Sequence, residues 1–320
     1  MQTKTFEYKG RKLSYRMKGE GPLLVLLHGF GEDGNVWKPQ FDIFPNHQLV
    51  IPDLPGSGQS EMIDDMSMEG MADAVRALIE DVAPSIPQGE VASPNHSREG
   101  LSAAQPSLAT ESNERAASSE SKVRSEVSAN PPLGGGGAVL IGHSMGGYVT
   151  LAFAEKYPTA LNAFGLFHST AFADSEEKKE TRRKGIAFIE EHGAYEFLKT
   201  ATSNLYAPVT KAEKGQLIDE HLKTVRNADG AALVTYYQSM IKRPDRTAVL
   251  KNSRVPVLFV MGRHDNAVPL SDGLKQCHLP QLSYIELLEH AGHMGMVEEA
   301  EQTNAILNMF MKSLETGTYT

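Results

Sequence analysis

Cysteine is nearly absent: Cys277 stands alone among 320 residues. Neither an internal disulfide nor a cysteine-rich metal centre can form, and a reducing compartment is the expected setting. Long apolar runs are missing as well. No stretch approaches the roughly 18 apolar residues that mark a membrane span, and Met1-Gln2-Thr3-Lys4-Thr5-Phe6 has no apolar signal segment. The expectation is a cytoplasmic protein with no membrane partner. Positive charge is in deficit at a net −9, and no stretch interleaves basic with aromatic side chains, which argues against nucleic acid. No His or carboxylate cluster has metal-ligand spacing, and the loop from Asp53 to Ser60 lacks a P-loop lysine, so no metal and no cofactor are expected. Between Pro84 and Gly137 there is no aromatic residue, only Ser, Ala, Glu, Asn, Pro and Gly in excess. Such a segment cannot bury enough surface to offset its ordering entropy, which predicts a disordered insertion over 84–137.

The whole chain is 40% apolar, ample for a buried core, and outside that segment apolar runs alternate with helical periodicity. Phe6-Tyr8 and Leu13-Tyr15 predict an opening hairpin. Leu23-Leu27, Leu49-Ile51, Ala138-Ile141, Phe164-Phe167, Val257-Met261 and Tyr284-Leu287 predict further strands. Helices are expected near Trp37-Phe44, Met68-Val82, Met145-Lys156, Leu270-Cys277 and Met296-Leu314. This is the signature of an α/β fold around a mostly parallel sheet. From about Asp174 to Lys251 the pattern is helical throughout, which predicts a cap of about four helices over 174–251, inserted into a core made of 1–173 and 252–320. The basic cluster Lys178, Lys179, Arg182, Arg183 and Lys184 alternates with Glu176, Glu177 and Glu180, and reads as a solvated helix face.

Gly142-His143-Ser144-Met145-Gly146 joins a predicted strand to a predicted helix. The pentapeptide pattern alone arises by chance in roughly one chain in ten of this length; its setting on a strand-to-helix turn is what makes Ser144 the candidate nucleophile. A serine needs a base, and the base needs an acid to fix its tautomer. Asp265 follows the strand Val257-Met261, and His293 follows Tyr284-Leu287, so both are expected on the rim that carries Ser144. His290 is a weaker rival for the base. The oxyanion donors are expected to be the backbone N–H groups of Met145 and of Phe30 in His28-Gly29-Phe30-Gly31. His28 and His143 read as packing residues. His168, Phe172, Tyr237 and Val268 are the candidate substrate contacts.

Taken together, His28-Gly29-Phe30-Gly31, Asp53-Leu54-Pro55-Gly56-Ser57-Gly58-Gln59-Ser60, Gly142-His143-Ser144-Met145-Gly146-Gly147, Gly262-Arg263-His264-Asp265 with Val268-Pro269, and Gly292-His293 resemble the capped branch of the α/β-hydrolase superfamily, in the same order. The resemblance implies the Ser144, Asp265 and His293 triad and the Phe30 and Met145 oxyanion hole, in agreement with the reading from strand ends. These motifs specify the machinery and not the substrate; the expectation is a serine hydrolase acting on a small-molecule carboxylic ester, or a lactone or thioester, as a monomer or homodimer. C–C bond hydrolases, perhydrolases and certain lyases share the machinery, and a ligand-sensing protein with slow turnover is a second alternative. The long segment before the nucleophile strand departs from the family pattern. It enters at the strand's N-terminal end, roughly 15 to 20 Å from Ser144 at about 3.3 Å per residue, so it is not expected to take part in the chemistry.

Overall fold

The computed structural model describes residues 1–83 and 136–317. The expected insertion at 84–137 lies outside the described residues, apart from its last two glycines. Eight strands form one sheet in the order β1-β2-β4-β3-β5-β6-β7-β8: β1 Gln2–Tyr8, β2 Arg11–Lys18, β3 Leu23–Leu27, β4 Gln48–Pro52, β5 Ala138–His143, β6 Leu161–Phe167, β7 Val257–Gly262 and β8 Ser283–Leu288. Only β2 runs against the rest, pairing antiparallel with β1 and β4. The strands from β3 to β8 are mutually parallel, so their C-terminal ends share one rim. Chain order reverses between β3 and β5, which opens a crevice at that point of the rim.

Side chains on a strand alternate between faces, and the core is divided accordingly. Leu23, Val25 and Leu27 join the layer that includes α1 Met68–Val82 and α2 Met145–Lys156. Leu24 and Leu26 join the opposite layer, which includes Trp37. Ser67 caps α1, its hydroxyl accepting from the Gly70 N–H at 3.0 Å. Between β6 and β7 lie α3 Glu176–His192, α4 Ala194–Ser203, α5 Pro208–Glu213, α6 Gly215–Thr224, α7 Gly230–Lys242 and α8 Thr247–Lys251. They reach the rim: Ser239 Oγ donates to the Met66 carbonyl at 2.7 Å, and the His293 N–H donates to the Leu205 carbonyl at 2.6 Å. The remaining helices are α9 Leu270–Gln276, α10 Gly295–Glu298 and α11 Ala300–Thr316, the last packed in the same layer as Trp37. No helix among the described residues is long and apolar enough to cross a membrane.

The expected boundaries need three corrections. Trp37-Phe44 is not an α-helix; a 3-10 turn spans Gly34–Gln40 with Pro39 inside it, a residue that cannot donate to an α-helical ladder. Met296-Leu314 is broken at Glu299, whose φ of −124° and ψ of 56° divide α10 from α11. The helical stretch from 174 to 251 holds six α-helices instead of about four. The two not foreseen, α5 and α8, have six and five residues, barely more than one 3.6-residue turn, and so show no period.

Candidate active site

Ser144 stands between β5 and α2 with φ 51° and ψ −113°, a conformation costing on the order of 1–3 kcal/mol that only a well-braced turn sustains. The bracing is visible. Its N–H donates to the Phe167 carbonyl at 2.9 Å, and its own carbonyl accepts from the Gly147 N–H at 3.0 Å and Ser169 Oγ at 2.7 Å. A Cβ at Gly146 would lie 2.6 Å from the His28 carbonyl oxygen, so glycine is required where the helix starts against β3. No capping bond occupies the Ser144 hydroxyl. The N–H groups of Met145 and Phe30 have no protein acceptor among the described residues, as suits donors awaiting a developing negative charge.

Asp265 follows β7 and is almost wholly buried. Its Oδ1 accepts from the N–H groups of Ala267 and Val268, both at 2.8 Å. Its Oδ2 meets two imidazoles, Nδ1 of His293 at 2.8 Å and Nδ1 of His168 at 3.0 Å. Burial pushes the carboxyl up, but the two imidazoles, His293 foremost, outweigh it and hold Asp265 far below the usual carboxylate range. For His293 burial favours the neutral ring, yet the Asp265 charge and hydrogen bond prevail and raise it above 6.5. His168 goes the other way, down to about 4, because burial outweighs the same carboxylate. His168, Asp265 and His293 place their ligand-type atoms within 4.8 Å of one another, a cluster that sequence spacing did not reveal. Both Nδ1 atoms are already committed to Asp265 Oδ2.

Behind the nucleophile, His143 Nδ1 meets Glu32 Oε2 at 3.0 Å and His143 Nε2 meets the His293 carbonyl at 2.9 Å. Glu32 Oε2 also accepts from the Gly29 N–H at 2.7 Å. One buried pair thus ties together the loops after β3, β5 and β8. Burial raises the Glu32 carboxyl, but His143 overrides it and Glu32 is held at about 2. Glu298 does similar work on the far side. Its Oε1 accepts from the N–H groups of Gly292 at 2.8 Å and Met294 at 3.1 Å, and its Oε2 from the Ala207 N–H at 2.8 Å and Thr210 Oγ1 at 2.7 Å. The loop bearing His293 is therefore fastened to the segment between α4 and α5.

A serine at a strained turn, a buried imidazole–carboxylate pair and two open N–H groups, all on the rim of a parallel sheet, lie within a stretch, residues 24–306, that matches the Alpha/beta hydrolase family. The chain belongs to the alpha/beta hydrolase family. It is an enzyme of the hydrolase class. Lipase 1 of Psychrobacter immobilis is 24% identical over 315 residues, spanning 96% of this chain and 82% of that protein. A thermophilic esterase from Thermogutta terrifontis superposes with a TM-score of 0.78 at 22% identity, over 98% of this chain and 100% of the other. An enol-lactonase from Burkholderia xenovorans LB400 gives 0.75 at 16%, over 97% and 100%. At these identities the structural likeness establishes the fold alone.

In this alpha/beta hydrolase, Ser144 and His293 line one cavity of about 310 Å³, together with Phe30, Tyr237, Met240 and Val268. Of the four candidate substrate contacts, Tyr237 and Val268 line this cavity. His168 and Phe172 do not. His168 is buried under Asp265, where Cβ atoms at Gly262 and Gly295 would crowd its ring. Phe172 uses its backbone to accept from Arg243 and does not reach the cavity. His290 is exposed and outside the site. His28 is structural: Nε2 accepts from the Leu54 N–H at 2.9 Å, and Nδ1 meets the Gly29 carbonyl at 2.8 Å. Reasoning from sequence missed Glu32, His221 and Thr202, which also line the cavity, and Glu298. For Glu32 and Glu298 the one available signal was proximity in sequence to Gly31 and Gly292; His221 and Thr202 offered none. The basic cluster also needs revision, since Lys178 and Arg182 line the cavity while Lys179 and Arg183 pair outward with Glu176 and Glu180.

Proposed function

We propose that this alpha/beta hydrolase cleaves a carboxylic ester, lactone or thioester through an acyl-enzyme, with 174–251 acting as a cap over a core made of 1–173 and 252–320. Ser144 attacks the carbonyl, His293 takes the hydroxyl proton and returns it to the leaving group, and Asp265 holds the ring with Nδ1 protonated so that Nε2 is free to act. The N–H groups of Phe30 and Met145 receive the oxyanion, aided by the N-terminus of α2. Water then enters by the same route in reverse and releases the acid. The observation that carries this reading is the 2.8 Å contact of His293 Nδ1 with Asp265, in a histidine that shares its cavity with Ser144.

The test is rapid mixing with p-nitrophenyl acetate and butyrate, beside a fluorophosphonate label. A burst of p-nitrophenol near one equivalent, and a phosphonyl adduct on the Ser144 peptide, are the expected results; turnover with no adduct there would overturn the reading. Ordinary turnover of about 1–10³ per second separates an enzyme from a slow ligand sensor.

The pH profile follows from His293. Only the neutral ring can accept the serine proton, so activity is low below its pKa and rises above it. Because Asp265 raises that pKa from 6.5, kcat/KM is expected to reach half its plateau above pH 6.5. A midpoint well below that value would show that another group is titrating.

A further inference from the structure

We infer that the substrate is the half-ester of a small dicarboxylic acid, whose free carboxylate is received by Arg182 and Lys178. This rests on the reading of the cavity as an ester-cleaving site. Both cations belong to α3, four residues apart and therefore on one face, and both line the cavity with Ser144 and His293. Their own counter-ions are oversubscribed. Asp174, with no side-chain exposure, accepts from Arg182 Nε at 2.5 Å and Nη2 at 3.3 Å and also from Arg243 Nη2 at 2.8 Å. One carboxylate thus serves two guanidinium groups. Lys178 Nζ is 4.0 Å from Asp272, which Lys275 approaches more closely at 3.2 Å, and its other contact is the Ala267 carbonyl at 3.4 Å. Positive charge is therefore in surplus along this wall, and Arg182 Nη1 has no partner among the described residues.

Arg182 is also held in place. Its guanidinium lies 5.4 Å from the centroid of Tyr237, and Tyr237 stacks on Phe30 at 4.3 Å and 7°, so Tyr237 links the cation to the residue whose N–H would meet the oxyanion. A fixed guanidinium with a spare donor binds carboxylate with little further ordering cost. Elsewhere the cavity wall carries Glu32, whose negative charge turns an anionic group away and so orients the substrate. A volume of about 310 Å³ lies at the lower end for ligand pockets, which suits a short diacid better than a long acyl chain.

The test compares ethyl valerate with monoethyl glutarate, which replaces the terminal methyl by a carboxylate, using the full chain. The expected kcat/KM favours the charged ester by about tenfold at low ionic strength, equivalent to about 1.4 kcal/mol, and the preference shrinks as salt rises. Lys178→Gln, at a partly exposed site that folding tolerates, should lower the ratio about threefold. Arg182→Gln combined with it should bring the ratio to one or below, and glutarate should inhibit ethyl valerate hydrolysis about tenfold less well. Lys179→Gln, paired outward, should keep the wild-type ratio. Hydrolysis of ethyl valerate with equal or faster rates than the half-ester would overturn the inference while leaving the ester-cleaving reading intact. Failure of both esters together with no label on Ser144 would remove both.

Discussion

Ser144→Ala is expected to eliminate the burst and to lower kcat by on the order of 10⁶-fold, the scale seen when a triad nucleophile is removed, while the melting temperature stays within a degree or so. The separation of these two outcomes is what the structure predicts. Every hydrogen bond bracing the turn is made by the backbone of residue 144, to Phe167, Gly147 and Ser169, and none by its hydroxyl. Alanine meets the same steric cost at φ 51° and the same neighbours, so no cavity and no orphaned buried group result. Circular dichroism melts beside single-turnover assays would check it. Retained turnover would exclude Ser144 as nucleophile, and a large drop in stability with partial activity would assign it a structural role instead.

Why this nucleophile was legible from sequence, and Glu32 was not, is a matter of range. The elbow is a local structure: an apolar run, a glycine, a serine, a glycine and a helical pattern each impose their geometry within a few residues, and the observed β5 and α2 start where those cues place them. The strand β3 was equally plain, bounded by Pro22 and by His28-Gly29. Asp265 and His293 were found because each follows a recognisable strand. Glu32, Glu298 and His168 also reach partners 111, 91 and 97 residues away, and beyond the nearby Gly31 and Gly292 nothing in their own neighbourhoods distinguishes them from surface carboxylates or a core histidine. The same limit misassigned α3. Its charges at i, i+4 distances suited a solvated face, and Lys179 and Arg183 occupy one, pairing at i, i+3 with Glu176 and Glu180. Only the packing of α3 against α7 reveals that Lys178 and Arg182 turn inward to the cavity.

Asp265→Asn carries the second large effect, about 10⁴-fold in kcat, and here the surrounding atoms specify how the loss arises. Two backbone N–H groups, of Ala267 and Val268, point at Oδ1, so the amide must place its carbonyl there and its NH2 where Oδ2 stood. That NH2 then faces Nδ1 of both His293 and His168, and each ring must accept at Nδ1 and carry its proton on Nε2. For His293 this presents an N–H where a proton acceptor is needed, which is the wrong tautomer for a general base. For His168 it puts a proton on Nε2, a buried atom with no partner among the described residues, at a cost of about 1–3 kcal/mol. The variant should therefore lose stability as well as activity, unlike Ser144→Ala. Removing the carboxylate also removes what raises His293, so any residual activity should rise with pH from a lower midpoint than in the wild type. Imidazole nitrogen chemical shifts would report both tautomers directly, and an unshifted Nδ1–H signal for His293 in the variant would contradict the account.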